Sequence, residues 1–132
     1  MTSVSLTGSN IYDSSFKGCS NLTTVNGLSN ITSIANNGFY EASLSNVNIQ
    51  DLSNVETVGL SAFYKSSLSG ELNLTKLTTS GLGAGAFDGC LISKVTCLGK
   101  SDNIPDRCFK KQNNGDLLTE VYLPYECTSI GG

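Results

Sequence analysis

The chain has 132 residues, enough for one domain, and only 14% of them are charged, against roughly 25% in an average globular domain. Its net charge is −3, which argues against a nucleic-acid protein with its basic stripe. Histidine is absent, which excludes a histidine-based triad, metal site or pH switch within this chain.

The amino end reads Met1 followed by Thr2-Ser3-Val4-Ser5-Leu6, with no basic start and no apolar run of secretory type. No stretch approaches the ~18 apolar residues of a membrane span. The chain is therefore expected either to stay inside the cell or to be a piece of a longer protein. Val4-Ser5-Leu6 fits the short strand of a preceding coil.

From there the sequence is periodic. Its five phenylalanines, Phe16, Phe39, Phe63, Phe87 and Phe109, lie 22 to 24 residues apart. Five residues before each stands an aliphatic: Ile11, Ile34, Val58, Leu82 and Ile104. Ser15, Gly38, Ala62, Ala86 and Cys108 immediately precede them. Each segment around a phenylalanine is predicted as a turn followed by a short helical or 3₁₀ element.

After each phenylalanine come an aliphatic and then an alternating pair: Val25 and Leu28, Val47 and Ile49, Leu72 and Leu74, Val95 and Cys97, Val121 and Leu123. Alternation over so few residues predicts a short strand with one face inward. A further segment closes most coils, as at Ile31 to Ile34, Val55 to Val58 and Leu77 to Leu82. A period in the twenties implies a solenoid. One coil cannot bury its own apolar stripe; stacked coils align the phenylalanines in a column and join the strands as a parallel sheet at roughly 4.8 Å per coil.

Five cysteines, Cys19, Cys90, Cys97, Cys108 and Cys127, include no Cys-x-x-Cys pair. An odd count does not suit a disulfide scaffold, and most are read as small buried hydrophobes. Leu82-Gly83-Ala84-Gly85-Ala86-Phe87 lacks the spacing and lysine of a phosphate loop, so its glycines are read as a tight coil corner. Asn21-Leu22-Thr23, Asn30-Ile31-Thr32 and Asn73-Leu74-Thr75 are glycosylation sequons, read as chance in a chain rich in Asn, Ser and Thr. No activated nucleophile, cofactor site or metal site is legible, so the chain is expected not to be an enzyme.

Phe16-Lys17-Gly18-Cys19-Ser20-Asn21-Leu22-Thr23-Thr24-Val25, Gly59-Leu60-Ser61-Ala62-Phe63-Tyr64, Ala86-Phe87-Asp88-Gly89-Cys90 and Leu123-Pro124-Tyr125-Glu126-Cys127-Thr128-Ser129-Ile130-Gly131 resemble the BspA-like leucine-rich repeat, in about five copies over nearly the whole chain. The resemblance implies a right-handed leucine-rich solenoid, an α/β-type repeat fold of about five coils, with a parallel β-sheet on one face and short helical or irregular segments opposite. It also implies a cell-surface or secreted protein that binds host extracellular or bacterial surface proteins; a cytoplasmic placement is the alternative. The chain departs from the family pattern at Leu98 to Asn103 and at Lys110 to Asp116, where about four residues are added. The added residues are expected to form a surface bulge, with a binding loop as the rival reading. The whole of 1–132 reads as one solenoid, uncapped at both ends and expected to be part of a longer array.

The strand residues that flank the inward aliphatics should face solvent. Those taken as protein-binding candidates are Asn26, Asn46, Asn48, Glu71, Asn73, Lys94, Thr96, Glu120 and Tyr122. Solenoid sheets present extended faces of this kind, and Tyr122 is the best anchor among them. The leading reading is a non-catalytic protein-interaction or adhesion module, with no nucleic-acid partner and no membrane insertion. The alternative is a structural spacer that self-associates end to end.

Overall fold

The computed structural model describes residues 2–78, 81–96, 103–104, 108, 120–122 and 129–130. Within them ten short strands alternate with turns. They are β1 (Ser3–Ser5), β2 (Asn10–Ile11), β3 (Thr24–Asn26), β4 (Ser33–Ile34), β5 (Thr57–Val58), β6 (Ser69–Asn73), β7 (Leu91–Thr96), β8 (Asn103–Ile104), β9 (Glu120–Tyr122) and β10 (Ser129–Ile130).

Every pairing is parallel and joins equivalent positions of neighbouring repeats. One set runs β1–β3 and, further along, β6–β7–β9. A second set runs β2–β4–β5, is prolonged by a bridge from Val58 to Leu82, and reappears as β8–β10. The segments that close each repeat thus form a second strand row, which the alternation pattern did not reveal.

The core follows the periodic residues. Leu22, Ile31, Ile34, Phe39, Leu44, Val58, Phe63, Leu68, Leu72, Phe87 and Val95 are all buried. Ring stacking is the clearest sign of register. Phe16 and Phe39 lie 5.3 Å apart, Phe39 and Phe63 5.4 Å, and Phe63 and Phe87 5.1 Å, with planes within 14° of parallel. Burying one such ring contributes about 1.5–3 kcal/mol.

The segments around the four described phenylalanines, Phe16 to Phe87, are turns, without the helical element expected there; Phe109 lies outside the described residues. The reason lies in the backbone two residues to either side of each ring. Ser14 and Gly18, Asn37 and Glu41, Ser61 and Lys65, and Gly85 and Gly89 all have positive φ. A chain that turns left-handed at every fourth residue cannot propagate a right-handed helix.

The same alternation aims every second N–H at the next repeat. Phe16 donates to the Gly38 carbonyl (2.9 Å), Phe39 to Ala62 (2.7 Å), Phe63 to Ala86 (2.8 Å) and Phe87 to Cys108 (2.8 Å). The positive-φ residues Ser14, Gly18, Asn37, Glu41, Ser61 and Lys65 donate in the same direction, to Asn36, Tyr40, Leu60, Tyr64, Ala84 and Asp88. The turn column is therefore a third hydrogen-bonded row between repeats.

Short 3₁₀ helices occur instead at Leu28–Asn30 and Ile49–Asn54. Leu28, expected to pair with Val25 on a strand, begins the first. The second displaces the strand expected at Val47 to Ile49. Asn48 accepts the Gln50 N–H at 3.0 Å and caps this helix, as a short amide side chain does at a helix start. The corner reading of Leu82 to Phe87 holds: a Cβ on Gly83 would lie 2.5 Å from the Leu60 nitrogen.

Candidate functional site

The strand row places the candidates as follows. Asn26 lies exposed at the end of β3, Glu71 is exposed and Asn73 half-buried on β6, and Lys94 is half-buried on β7. The register sets Lys94 beside Glu71 on β6 and pairs it with position 120 on β9. It also sets Thr96 between Asn73 and Tyr122. The side chains of Thr96, Glu120 and Tyr122 lie outside the described residues, as do Lys110 to Asp116, Cys97 and Cys127.

Asn46 and Asn48 are exposed, but neither stands on a strand. Here the expectation needs correcting. The chain from Asn46 to Asn48 forms no strand, although the Asn46 N–H still donates to the Thr23 carbonyl at 3.0 Å, and both side chains have structural roles. Asn46 Nδ2 donates to Thr24 Oγ1 at 3.2 Å, and Asn48 is the helix cap.

Side chains then bridge where main-chain pairing stops. Gln50 Nε2 donates to the Glu71 carbonyl at 2.7 Å, and Gln50 Oε1 accepts from Asn73 Nδ2 at 2.6 Å. Its amide takes the place of a strand peptide. A parallel link lies at the next corner, where Asn54 donates to the Ser29 carbonyl (2.8 Å) and accepts from Lys76 Nζ (2.7 Å). The polar face is thus tied across repeats before any partner arrives.

A second surface was missed in the sequence. Tyr40 and Tyr64, each one residue after a core phenylalanine, are half-buried and stack at 4.7 Å. Lys17 Nζ lies 5.1 Å from the Tyr40 ring centre and Lys65 Nζ 5.4 Å from that of Tyr64, within cation–π range. The signal was present in the register: the position after each phenylalanine reads Lys17, Tyr40, Tyr64, Asp88 and Lys110.

The threonines of two of the three sequons have a structural role. Thr23 Oγ1 donates to the Thr2 carbonyl (3.2 Å) and Thr32 Oγ1 to Ser9 (3.4 Å). Thr78, which belongs to no sequon, does the same to Glu56 (3.2 Å). Threonine recurs here because its hydroxyl ties one repeat to the one before.

Of the described cysteines, Cys19 is half-buried and Cys90 and Cys108 are buried; Cys19 and Cys90 are free thiols. Burial pushes the Cys90 thiol up to about 11, against a smaller opposing effect of the Ser66 hydrogen bond. A reactive cysteine needs the opposite shift. No group of acidic, cysteine or histidine side chains among the described residues is arranged to hold a metal ion.

Short parallel strands, an aliphatic core and a period of 22 to 24 residues define a leucine-rich repeat protein. Residues 1–116 match the BspA type leucine rich repeat region in six copies, one more than the phenylalanines count. The chain belongs to that family. It matches no curated protein and no solved structure.

Proposed function

We propose that this chain is a non-catalytic protein-binding module, a stacked-coil solenoid that docks another protein on its strand face. Membership of a leucine-rich repeat family supports protein interaction in general terms. The observation that carries the finer reading is the Asn73–Gln50–Glu71 link. It orders polar groups on the face in advance, and ordering before binding lowers the entropy cost of association. The opposite charges of Glu71 and Lys94, neighbours in the register, suit a partner of mixed polarity better than a strongly charged one.

The family's typical surface association supports a placement at the cell surface or in secretion, and host extracellular or bacterial surface proteins are the partners we propose there. No helix among the described residues is long and apolar enough to cross a membrane.

The test is binding of the purified chain to a panel of extracellular-matrix and bacterial-surface proteins. An Asn26→Lys, Glu71→Lys variant is measured beside a Lys65→Glu variant on the turn side. Binding lost only in the first, with circular dichroism unchanged in both, supports the reading. Binding by neither variant nor the parent chain overturns it.

A spacer that stacks on further coils is the second reading. Val4, Leu6 and Phe16 in the first repeat are only partly buried, whereas Phe39, Phe63 and Phe87 are fully covered. Concentration-dependent association abolished by Leu6→Lys favours this reading.

A further inference from the structure

The chain contains three Asn-Gly pairs, Asn26-Gly27, Asn37-Gly38 and Asn114-Gly115, the last outside the described residues. An asparagine followed by glycine is open to attack on its side-chain amide by the following main-chain nitrogen, because no side chain shields that nitrogen. The attack requires the peptide between the two residues to rotate. It is therefore controlled by the hydrogen bonds that clamp this peptide.

The two described pairs are clamped unequally. At Asn37-Gly38 the Gly38 N–H donates to the Ala35 carbonyl (3.2 Å) and the Asn37 carbonyl accepts from Tyr40 (3.2 Å). Gly38 is buried, and a Cβ there would lie 3.0 Å from both Ile11 and Ile34. Rotation at this peptide would disturb the main chain beside Phe39.

At Asn26-Gly27 the Asn26 carbonyl accepts from Leu6 at 2.8 Å, but the Gly27 N–H has no backbone acceptor among the described residues. Leu6 itself lies in the first repeat and is only partly buried. The cause is the interrupted sheet. Leu6 reaches the end of β3 in the next repeat, whereas the chain that would face Gly27 has turned into the 3₁₀ helix at Ile49–Asn54.

The glycine itself is not replaceable. Its φ is +89°, and a Cβ would come within 2.6 Å of the Leu6 carbonyl oxygen. Packing thus fixes an Asn-Gly pair at an exposed site whose attacking nitrogen is unclamped.

We propose that Asn26 is a site of spontaneous deamidation, which slowly adds a negative charge to the strand face. The deprotonated Gly27 nitrogen forms a bond to Asn26 Cγ, the Cγ–NH₂ bond breaks, and ammonia leaves. Water then opens the cyclic imide at either carbonyl, giving aspartate or isoaspartate; no oxidant or reductant takes part. The isoaspartate form also adds a methylene to the main chain beside Gly27, where the Asn30 N–H meets the Gly27 carbonyl at 3.1 Å. Only the effect on a partner rests on the proposed binding function; the conversion does not.

Peptide mapping by mass spectrometry tests this directly. The purified chain is incubated at mildly alkaline pH, folded or in urea, and amide-to-acid conversion is followed at both pairs. In the folded chain Asn26 is expected to convert several-fold faster than Asn37. In urea the two should converge, which shows that the fold sets the difference. Equal rates in the folded chain would overturn the proposal, as would an intact Asn26 over a period in which the unfolded chain converts both. An Asn26→Gln variant identifies the peptide signal. The readout needs no partner, so the proposal stands or fails separately from the binding function.

Discussion

The turn column and the strand face are built from the same repeats, yet they behave differently along the chain. In the turn column each of the four phenylalanines from Phe16 to Phe87 sits between two positive-φ residues and sends its N–H to the next repeat. On the strand face the pairing stops between β3 and β6. There a glutamine side chain carries the link. The comparison teaches where the repeat tolerates change. Aromatic rings stacked face to face leave no room for insertion or shift, whereas a solvated row accepts a side-chain amide for a peptide. Variation on the strand face therefore costs less stability, and a surface that can vary suits recognition.

The largest effect should come from breaking the column at its middle. Phe63 contacts rings on both sides, so Phe63→Ala is expected to cost about 3–5 kcal/mol. Urea unfolding measures it, and a loss no larger than that of a strand-face substitution would erase the contrast.

The join between the two regions is next. Cys90 closes the turn around Phe87, donates from Sγ to the Phe63 carbonyl at 3.0 Å, and immediately precedes β7. Its thiol is raised from 9.0 to about 11 by burial. A group that holds its proton more tightly when folded supports the fold below its unfolded value. That support is full below pH 9 and is lost as pH rises toward 11, by on the order of 2 kcal/mol. Unfolding of the parent chain and Cys90→Ala across this range separates the thiol from lysine and tyrosine titrations; the parent should show the steeper decline.

On the strand face, Gln50→Ala removes both side-chain links between the 3₁₀ helix and β6. It is expected to cost about 1 kcal/mol, with faster hydrogen exchange confined to residues near β6. The smallest effect is a gain. Glu41 is exposed with φ +56°, where Gly85 and Gly89 flank Phe87 without strain from a side chain. Glu41→Gly should stabilise the chain by about 0.5–1 kcal/mol, since relief of the left-handed penalty exceeds the entropy cost of glycine. Thermal unfolding checks the sign.

Much of this architecture was legible in the residues. The spacing of the phenylalanines located the column, and the aliphatics before them located the buried edge of the second strand row. Turn geometry was not legible: Ser14, Glu41, Ser61 and Lys65 give no sign of left-handed backbone, because neighbouring repeats impose it through the N–H row. The interruption near Asn48 was hidden for a related reason. Val47 and Ile49 alternate as a strand would, and only the Asn48 cap and the Gln50 bridge decide otherwise. Asn46 and Asn48 are exposed as expected, but they stand off the strands and their amides also serve the fold. Tyr40 and Tyr64 were overlooked because the outward register was read on the strands alone.

Native-state hydrogen exchange tests the contrast between column and face most directly. The amides of Phe39 and Phe63 should exchange only when the whole stack unfolds, with the same free energy as global unfolding. The amides of Ser45, Asn48 and Gly27, which have no backbone acceptor among the described residues, should exchange through local openings of much lower free energy. Fast exchange at Phe39 and Phe63, with protection at Gly27 and Asn48, would contradict the account.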